Sequence, residues 1–226
     1  MRVLTWNLFH GRSVPPSGRQ LFSEFAGMLR GWEWDVALLQ EVPPWWPPKL
    51  AAACGADQRT VLTSRNWLLP LRRAISARNP DILKANGGGS NAILVRGGGI
   101  VDHRTRELAR RPERRMAHAV RLDGGTWIAN LHATTQAKSK DVPRNWNDSR
   151  LAAETARGWA AGAPLILGGD LNIRGRPELP GLMRVAGNYV DHVFVGPGLK
   201  AAGRAEVLER GRLSDHDPVV VEISAA

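Results

Sequence analysis

Apolar residues along this chain gather in short runs, and many of those runs end on a polar or acidic residue. Val3-Leu4-Thr5-Trp6 ends at Asn7, Val36-Ala37-Leu38-Leu39 at Gln40-Glu41, and Pro164 to Leu167 leads into Gly168-Gly169-Asp170. Runs of this length read as buried strands when turn residues bound them. Asn91 to Val95 is another, set between Gly87-Gly88-Gly89-Ser90 and Gly97-Gly98-Gly99, and Tyr189 to Val195 and Val219 to Ile223 add two more. Ala117 to Leu122 and Thr126 to Leu131 flank Asp123-Gly124-Gly125, a hairpin signal, with His132 directly after the second strand. Helical spacing of apolar positions predicts helices over Leu21 to Leu29, stopped near Gly31, and over Arg150 to Ala161.

The prolines in Val42-Pro43-Pro44-Trp45-Trp46-Pro47-Pro48 predict a stiff extended loop, with a short helix from Leu50 to Ala56. Residues 63 to 86 show no clean period. Strands mixed with helices, and polar residues collected at strand ends, predict two packed sheets with helices outside and a cleft at the sheet edges.

At 226 residues the chain fits one domain, residues 1–226, with a substantial core. Cys54 is the sole cysteine, so no intrachain disulfide is possible and the core must hold the fold. No apolar stretch is long enough for a membrane-spanning helix, and the first residues enter a strand without a leader, so the expected location is the cytoplasm with no stable membrane insertion. The net charge of +10 predicts attraction to phosphate-bearing polyanions, with Arg104, Arg106, Arg110, Arg111, Arg114 and Arg115 the densest basic group. Abundant Ala, Gly, Pro and Arg together also follow from GC-rich coding, which discounts the signal. No protein partner is inferable from the chain.

The polar residues at strand ends are of metal-ligand or acid/base type: Asn7, Glu41, His132, Asp170, Asn172, Asp191, and the tetrad Ser214-Asp215-His216-Asp217. A hard cation such as Mg²⁺ wants carboxylate oxygens, which Glu41 and Asp170 supply. A carboxylate ending an apolar strand is costly to bury unless a cation or an arginine accompanies it. Asn172, two residues past Asp170, shares its side if the strand continues. His216 needs a partner to fix its tautomer, and Asp191 is the candidate; the imidazole is then expected to titrate near neutrality. Asp217 reads as a turn former, and His10, His103, His118 and His192 as ordinary packing or surface histidines.

Taken in order, Thr5-Trp6-Asn7, Leu39-Gln40-Glu41, Asn130-Leu131-His132, Gly169-Asp170-Leu171-Asn172, Val190-Asp191-His192-Val193-Phe194 and Ser214-Asp215-His216-Asp217-Pro218 resemble the motif series of the endonuclease/exonuclease/phosphatase superfamily. The resemblance spans nearly the whole chain. It implies a four-layer α/β sandwich and phosphoester hydrolysis dependent on Mg²⁺ or Mn²⁺. It also implies roles: Glu41 the principal metal ligand with Asn7 and Asp215 as further contacts, Asp170 to orient or deprotonate the attacking water, Asn172 to hold that water or a phosphate oxygen, and His216, steadied by Asp191, to contact the phosphate. His132 resembles the histidine that assists the leaving group in the deoxyribonuclease and sphingomyelinase branches; Tyr189, the sole tyrosine, is poorly placed to replace it. Arg115 and Arg150 match positions of structural or phosphate-facing arginines.

Trp45 and Trp46, just after Glu41, and Trp146, after His132, are expected to flank the cleft, where aromatic faces beside basic charge could stack on bases. The leading expectation is therefore a metal-dependent phosphodiesterase acting on nucleic acid. The alternatives are a phospholipid or small-molecule phosphoesterase on the same centre, and a basic nucleic-acid-binding domain without catalysis. Five intact catalytic-type side chains argue against the last.

Overall fold

The computed structural model describes residues 1–64, 66–83, 89–135 and 143–226. Gly87 and Gly88 of the first glycine break lie outside the described residues. Two mixed sheets form the centre. The first runs β11 (Leu199–Ala201), β13 (Val219–Ala225), β1 (Arg2–Asn7), β2 (Val36–Val42), β4 (Gly89–Arg96), β3 (Ala56–Thr63), with β12 (Glu206–Val207) also pairing with β13. The second runs β5 (Ile100–Ala109), β6 (Arg115–Leu122), β7 (Trp127–His132), β8 (Leu165–Asp170), β10 (Asp191–Val195), β9 (Met183–Asn188).

Alternation along each strand sorts its side chains into layers. Val3, Val36, Leu38, Ile93, Val120, Ile128, Ile166, Val193 and Val221 fill the space between the sheets. Leu4, Trp6 and Leu39 face outward against Phe25 and Leu29 of α1 (Phe22–Gly31) and Leu50 and Ala51 of α2 (Pro47–Cys54). Ala117, Ala129 and Leu167 face outward from the other sheet against Ala152, Ala153 and Ala156 of α4 (Arg144–Ala160). The four layers are thus helix, sheet, sheet, helix. Strands buried on both faces read as near-continuous apolar runs for this reason.

Several expected elements take a different form. Pro47 and Pro48 open helix α2 instead of continuing an extended loop, because the first helical positions have backbone N–H groups with no intrahelical partner and lose nothing to proline. The stretch without a period contains α3 (Leu69–Arg78), in which only Ser76 is buried, so there is no apolar stripe to detect. Strands β3 and β5 carry mixed residues, most of them half-buried or exposed, because they are edge strands, where charges are favoured. Tyr189 sits in a left-handed turn before β10 and does not belong to the strand.

The topology also decides where chemistry can occur. β1 and β2 are parallel, as are β7 and β8, so Asn7 lies opposite Gln40 and His132 opposite Asp170 at the carboxyl ends. β10 and β13 run antiparallel to β8 and β1, which puts Asp191 across from Asp170 and the segment before Val219 beside Thr5. Arg115, at the start of β6, and Thr63, at the end of β3, reach the same end of the sandwich. Below it a buried polar clamp joins the sheets: Gln40 Nε2 donates to Asn130 Oδ1 at 2.8 Å, and Asn130 Nδ2 donates to the carbonyls of Leu39 and Ala92, both at 3.0 Å.

Candidate active site

Asp170 is the centre of the cluster. Its Oδ1 accepts from the backbone N–H of Asn172 at 2.9 Å, and its Oδ2 accepts from Asn7 Nδ2 at 3.0 Å. His132 Nε2 lies 3.4 Å and His216 Nε2 3.8 Å from that same Oδ2. Burial, and then the charge of Asp191, push the Asp170 carboxyl up to about 7, against the pull of His216, Asn172 and Asn7.

His216 Nδ1 is 2.7 Å from Asp191 Oδ2, the pairing expected from the sequence. Burial opposes a charge on this imidazole, but the hydrogen bond and the charge of Asp191, with Asp170 and Asp215 behind them, lift it to about 10. His216 is therefore an imidazolium at neutral pH. The near-neutral titration expected for it belongs to Asp170 instead, since a carboxylate partner stabilises the charged ring. The His216 backbone is itself anchored: Trp6 Nε1 donates to its carbonyl at 2.9 Å, and its N–H donates to Ser214 Oγ, which donates in turn to Asn7 O at 2.6 Å.

His132 has the opposite character. Arg115 Nη1 stands 3.1 Å from His132 Nδ1, and a guanidinium can only donate, so Nδ1 is the acceptor and the ring proton sits on Nε2. Burial, then the cations Arg115 and His216, hold the ring pKa well below its usual value. His132 presents a neutral N–H toward Asp170 Oδ2 and toward Glu41 Oε1, which is 3.9 Å away. Glu41 and Asp170 thus bracket one imidazole nitrogen, and lie well under a nanometre apart.

The remaining expected residues divide. Arg115 is deeply buried, ion-paired to Glu113 at 2.9 Å, and lines a pocket of about 140 Å³ with Glu41, His132, His10, Thr63, Ser64 and Thr135. Asn172 adopts a left-handed backbone, and its Nδ2 donates to Ala133 O at 3.0 Å. Asn7 spends both ends of its amide inside the protein, on Asp170 and on the N–H of Phe9. Asp215, half-exposed, lies on the His216 side with its Oδ1 3.9 Å from Nε2. Asp217 accepts from Arg210 Nε at 2.6 Å and shapes the turn.

Trp46 is a correction: its indole is 2% exposed and packs in the core against Phe22 and Phe25, not on the cleft, because the α2 start turns it inward. Trp45 also packs, partly buried, against that core. Trp146 and Arg150 do meet, the guanidinium 5.6 Å from the indole, in a separate depression of about 610 Å³ shared with Arg176, Glu178 and Leu179. It adjoins the centre through Asn145, whose Nδ2 donates to Asn172 O at 2.6 Å.

His10 was not distinguished from the other histidines by its sequence, yet its Nε2 is 3.1 Å from Glu41 Oε2. Its one sequence signal is position, three residues past Asn7 and directly before Gly11. The other three behave as packing residues: His103 and His118 pair at 3.3 Å, and His192 accepts from Arg184 Nε and contacts Ile173 O.

The donor set fits a divalent cation. Asp170, Asp191 and His216 bring potential ligand atoms within 4.8 Å of one another, but the charged His216 ring has no free lone pair to give, so the carboxylates are the donors, and Asp191 Oδ1 is buried with no hydrogen-bond partner. Glu41 adds a carboxylate on the wall of the open pocket.

Buried carboxylates, an imidazolium and a neutral imidazole around one cleft, on a four-layer sandwich, define a phosphoesterase-type centre. The chain belongs to the Endonuclease/Exonuclease/phosphatase family, whose profile matches residues 4–216. Among solved structures it is similar to an endonuclease/exonuclease/phosphatase from Beutenbergia cavernae (22% identity, all of this chain and 71% of that one, TM-score 0.75). It is also similar to a mannosyl-6-phosphatase of Bacteroides thetaiotaomicron (19% identity, 99% of each chain, TM-score 0.71) and to TDP2 from C. elegans (16% identity, all of this chain and 75% of that one, TM-score 0.69). These likenesses show the fold. No curated protein matches the chain. Among the described residues no helix is long and apolar enough to cross a membrane.

Proposed function

We propose that this protein hydrolyses phosphodiester bonds of nucleic acid, by in-line attack of water, with a divalent cation (Mg²⁺ or Mn²⁺) bound at Glu41. The observation that carries this reading is geometric: the buried Asp170 carboxyl faces His216 across one cleft, its Oδ2 3.8 Å from Nε2 of a ring whose Nδ1 is held by Asp191 Oδ2 at 2.7 Å. Once ionised, Asp170 accepts a proton from the attacking water, oriented by Asn172. His216 places its Nε2–H on a phosphoryl oxygen, and Asp191 keeps that ring charged and aimed. The neutral Nε2–H of His132 donates to an oxygen that gains charge as the ester bond breaks, and Arg115 fixes which nitrogen carries that proton. A bound cation supplies charge neutralisation on the phosphate oxygens.

Nucleic acid is favoured by charge placement. The β5–β6 hairpin carries Arg104, Arg106, Arg110, Arg111 and Arg114 against the acids Asp102, Glu107 and Glu113, a net basic segment whose Arg115 lies in the pocket wall. A second reading, a small phosphomonoester as in the mannosyl-6-phosphatase relative, is favoured by the small volume of the Arg115 pocket, sized for a terminal phosphate. The assay incubates the protein with Mn²⁺ or Mg²⁺ and, separately, plasmid DNA, single-stranded oligonucleotide, RNA, sphingomyelin and a hexose 6-phosphate. Oligonucleotide or plasmid cleavage is expected. Turnover of the hexose phosphate alone would establish the second reading, and turnover of the lipid alone would overturn both.

A further inference from the structure

One titratable side chain of the cleft has no task in the chemistry above: His10, which stands against Glu41. Their atoms Nε2 and Oε2 are 3.1 Å apart, with side-chain exposures of only 14% and 21%. Both residues hold left-handed backbone, φ 55° at His10 and 48° at Glu41, and Phe9 does so too at 47°. Such angles are strained outside glycine and persist only where surrounding packing enforces them.

The packing that enforces this turn is visible. Gly11 follows with φ 76°, and a Cβ there would run into the six-membered ring of Trp46, so the buried indole is the floor under the turn. On the other side the His10 ring lies over Gly89, where an added Cβ would sit 3.3 Å from Cε1 and 3.5 Å from Nδ1. The turn is thus held from below by Trp46 under Gly11, the His10 ring lies against Gly89, and its Nε2 is directed to the Glu41 carboxylate in the pocket that His132, Arg115 and Thr135 line.

A spacing of 3.1 Å suits a simple hydrogen bond, and it also suits two neighbouring ligands of one ion. Donors about 2.1 Å from a metal and at right angles stand about 3 Å apart. We propose that His10 contributes its Nε2, beside Glu41 Oε2, to the cation of this site, and that this nitrogen makes the site prefer a first-row transition ion over Mg²⁺. Mg²⁺ binds through oxygen and sheds its waters reluctantly, whereas imidazole nitrogen adds affinity along the transition series. The inference rests on Glu41 being the metal-holding carboxylate, and its test separates the two claims.

The probe is Mn²⁺, followed by titration calorimetry against Mg²⁺ and by pulsed electron paramagnetic resonance for nitrogen coupling, on the full chain. Variants are His10→Asn, which tolerates the left-handed backbone and removes the ring, His132→Ala, and Glu41→Gln, each confirmed folded by circular dichroism. The unmodified protein is expected to show imidazole nitrogen coupling. His10→Asn should lose it, with Mn²⁺ affinity falling at least about tenfold and Mg²⁺ affinity less than about threefold. His132→Ala should keep it. Coupling that survives in His10→Asn, or an unchanged Mn²⁺/Mg²⁺ ratio, overturns the proposal while leaving Glu41 as a ligand. Mn²⁺ affinity unaffected by Glu41→Gln overturns the proposal and the metal role of Glu41 together.

Discussion

A single proton decides what each polar side chain of the cleft can do, and burial sets where that proton resides. Asp170, raised to about 7 by burial and the neighbouring Asp191 charge, must lose its proton to act as a base, so activity should appear as pH rises. His216, lifted to about 10 by Asp191, must keep its proton, so activity should fall as pH climbs past that value. The expected kcat/KM profile is a bell whose acid limb lies below 7, because the cation that turnover needs also favours the ionised Asp170 carboxylate. Asp191→Asn should narrow the bell from its alkaline side by removing what holds the His216 charge. His216→Ala should lower kcat by about 10²- to 10⁴-fold while Mn²⁺ affinity stays nearly constant. A variant with full turnover would remove His216 from the mechanism. Motif order made Asp170, Asp191 and His216 legible as a set; their protonation states were not legible, because desolvation depends on neighbours far along the chain.

Strand ends place these groups, and two glycines show how narrowly. Gly169, φ 137°, precedes Asp170 in β8 where the strand passes β7, and a Cβ there would fall inside the Leu131 carbonyl oxygen. Gly169→Ala is therefore expected to destabilise the protein by at least about 2 kcal/mol and to shift Asp170 away from His132. Gly158, exposed in α4 with open space around it, is the contrast: Gly158→Ala should stabilise by about 0.5–1 kcal/mol. Denaturant titration of both variants checks the pair; equal effects would deny the close approach at Gly169. The buried strands could be read directly from the chain because both their faces are apolar. The edge strands β3 and β5, and helix α3 with its single buried residue, carry no such pattern.

The two sheets meet over a mostly aliphatic interior that also holds an imidazole. His118 lies on the same face of β6 as Val120 and Leu122, fully buried, and burial followed by the His103 charge lowers its pKa to about 3. An unfolded His118 takes up a proton below its ordinary value of about 6.5, and the native one does not. The associated stability is complete above 6.5 and is lost as pH falls toward 3, at about 1.4 kcal/mol per pH unit. His118→Phe should flatten the acid limb of a stability–pH curve measured by urea unfolding; an unchanged slope would assign acid lability elsewhere. By itself the sequence determined the buried strand runs, the helices with an apolar stripe, the sandwich they form and the polar residues that end the strands, because alternation and spacing are local properties of the chain. Which side chains touch was settled only in three dimensions. Trp46, beside Glu41 in sequence, turned into the core, and His10 reached Glu41, because contact partners are fixed by strand pairing and packing over long stretches of intervening chain.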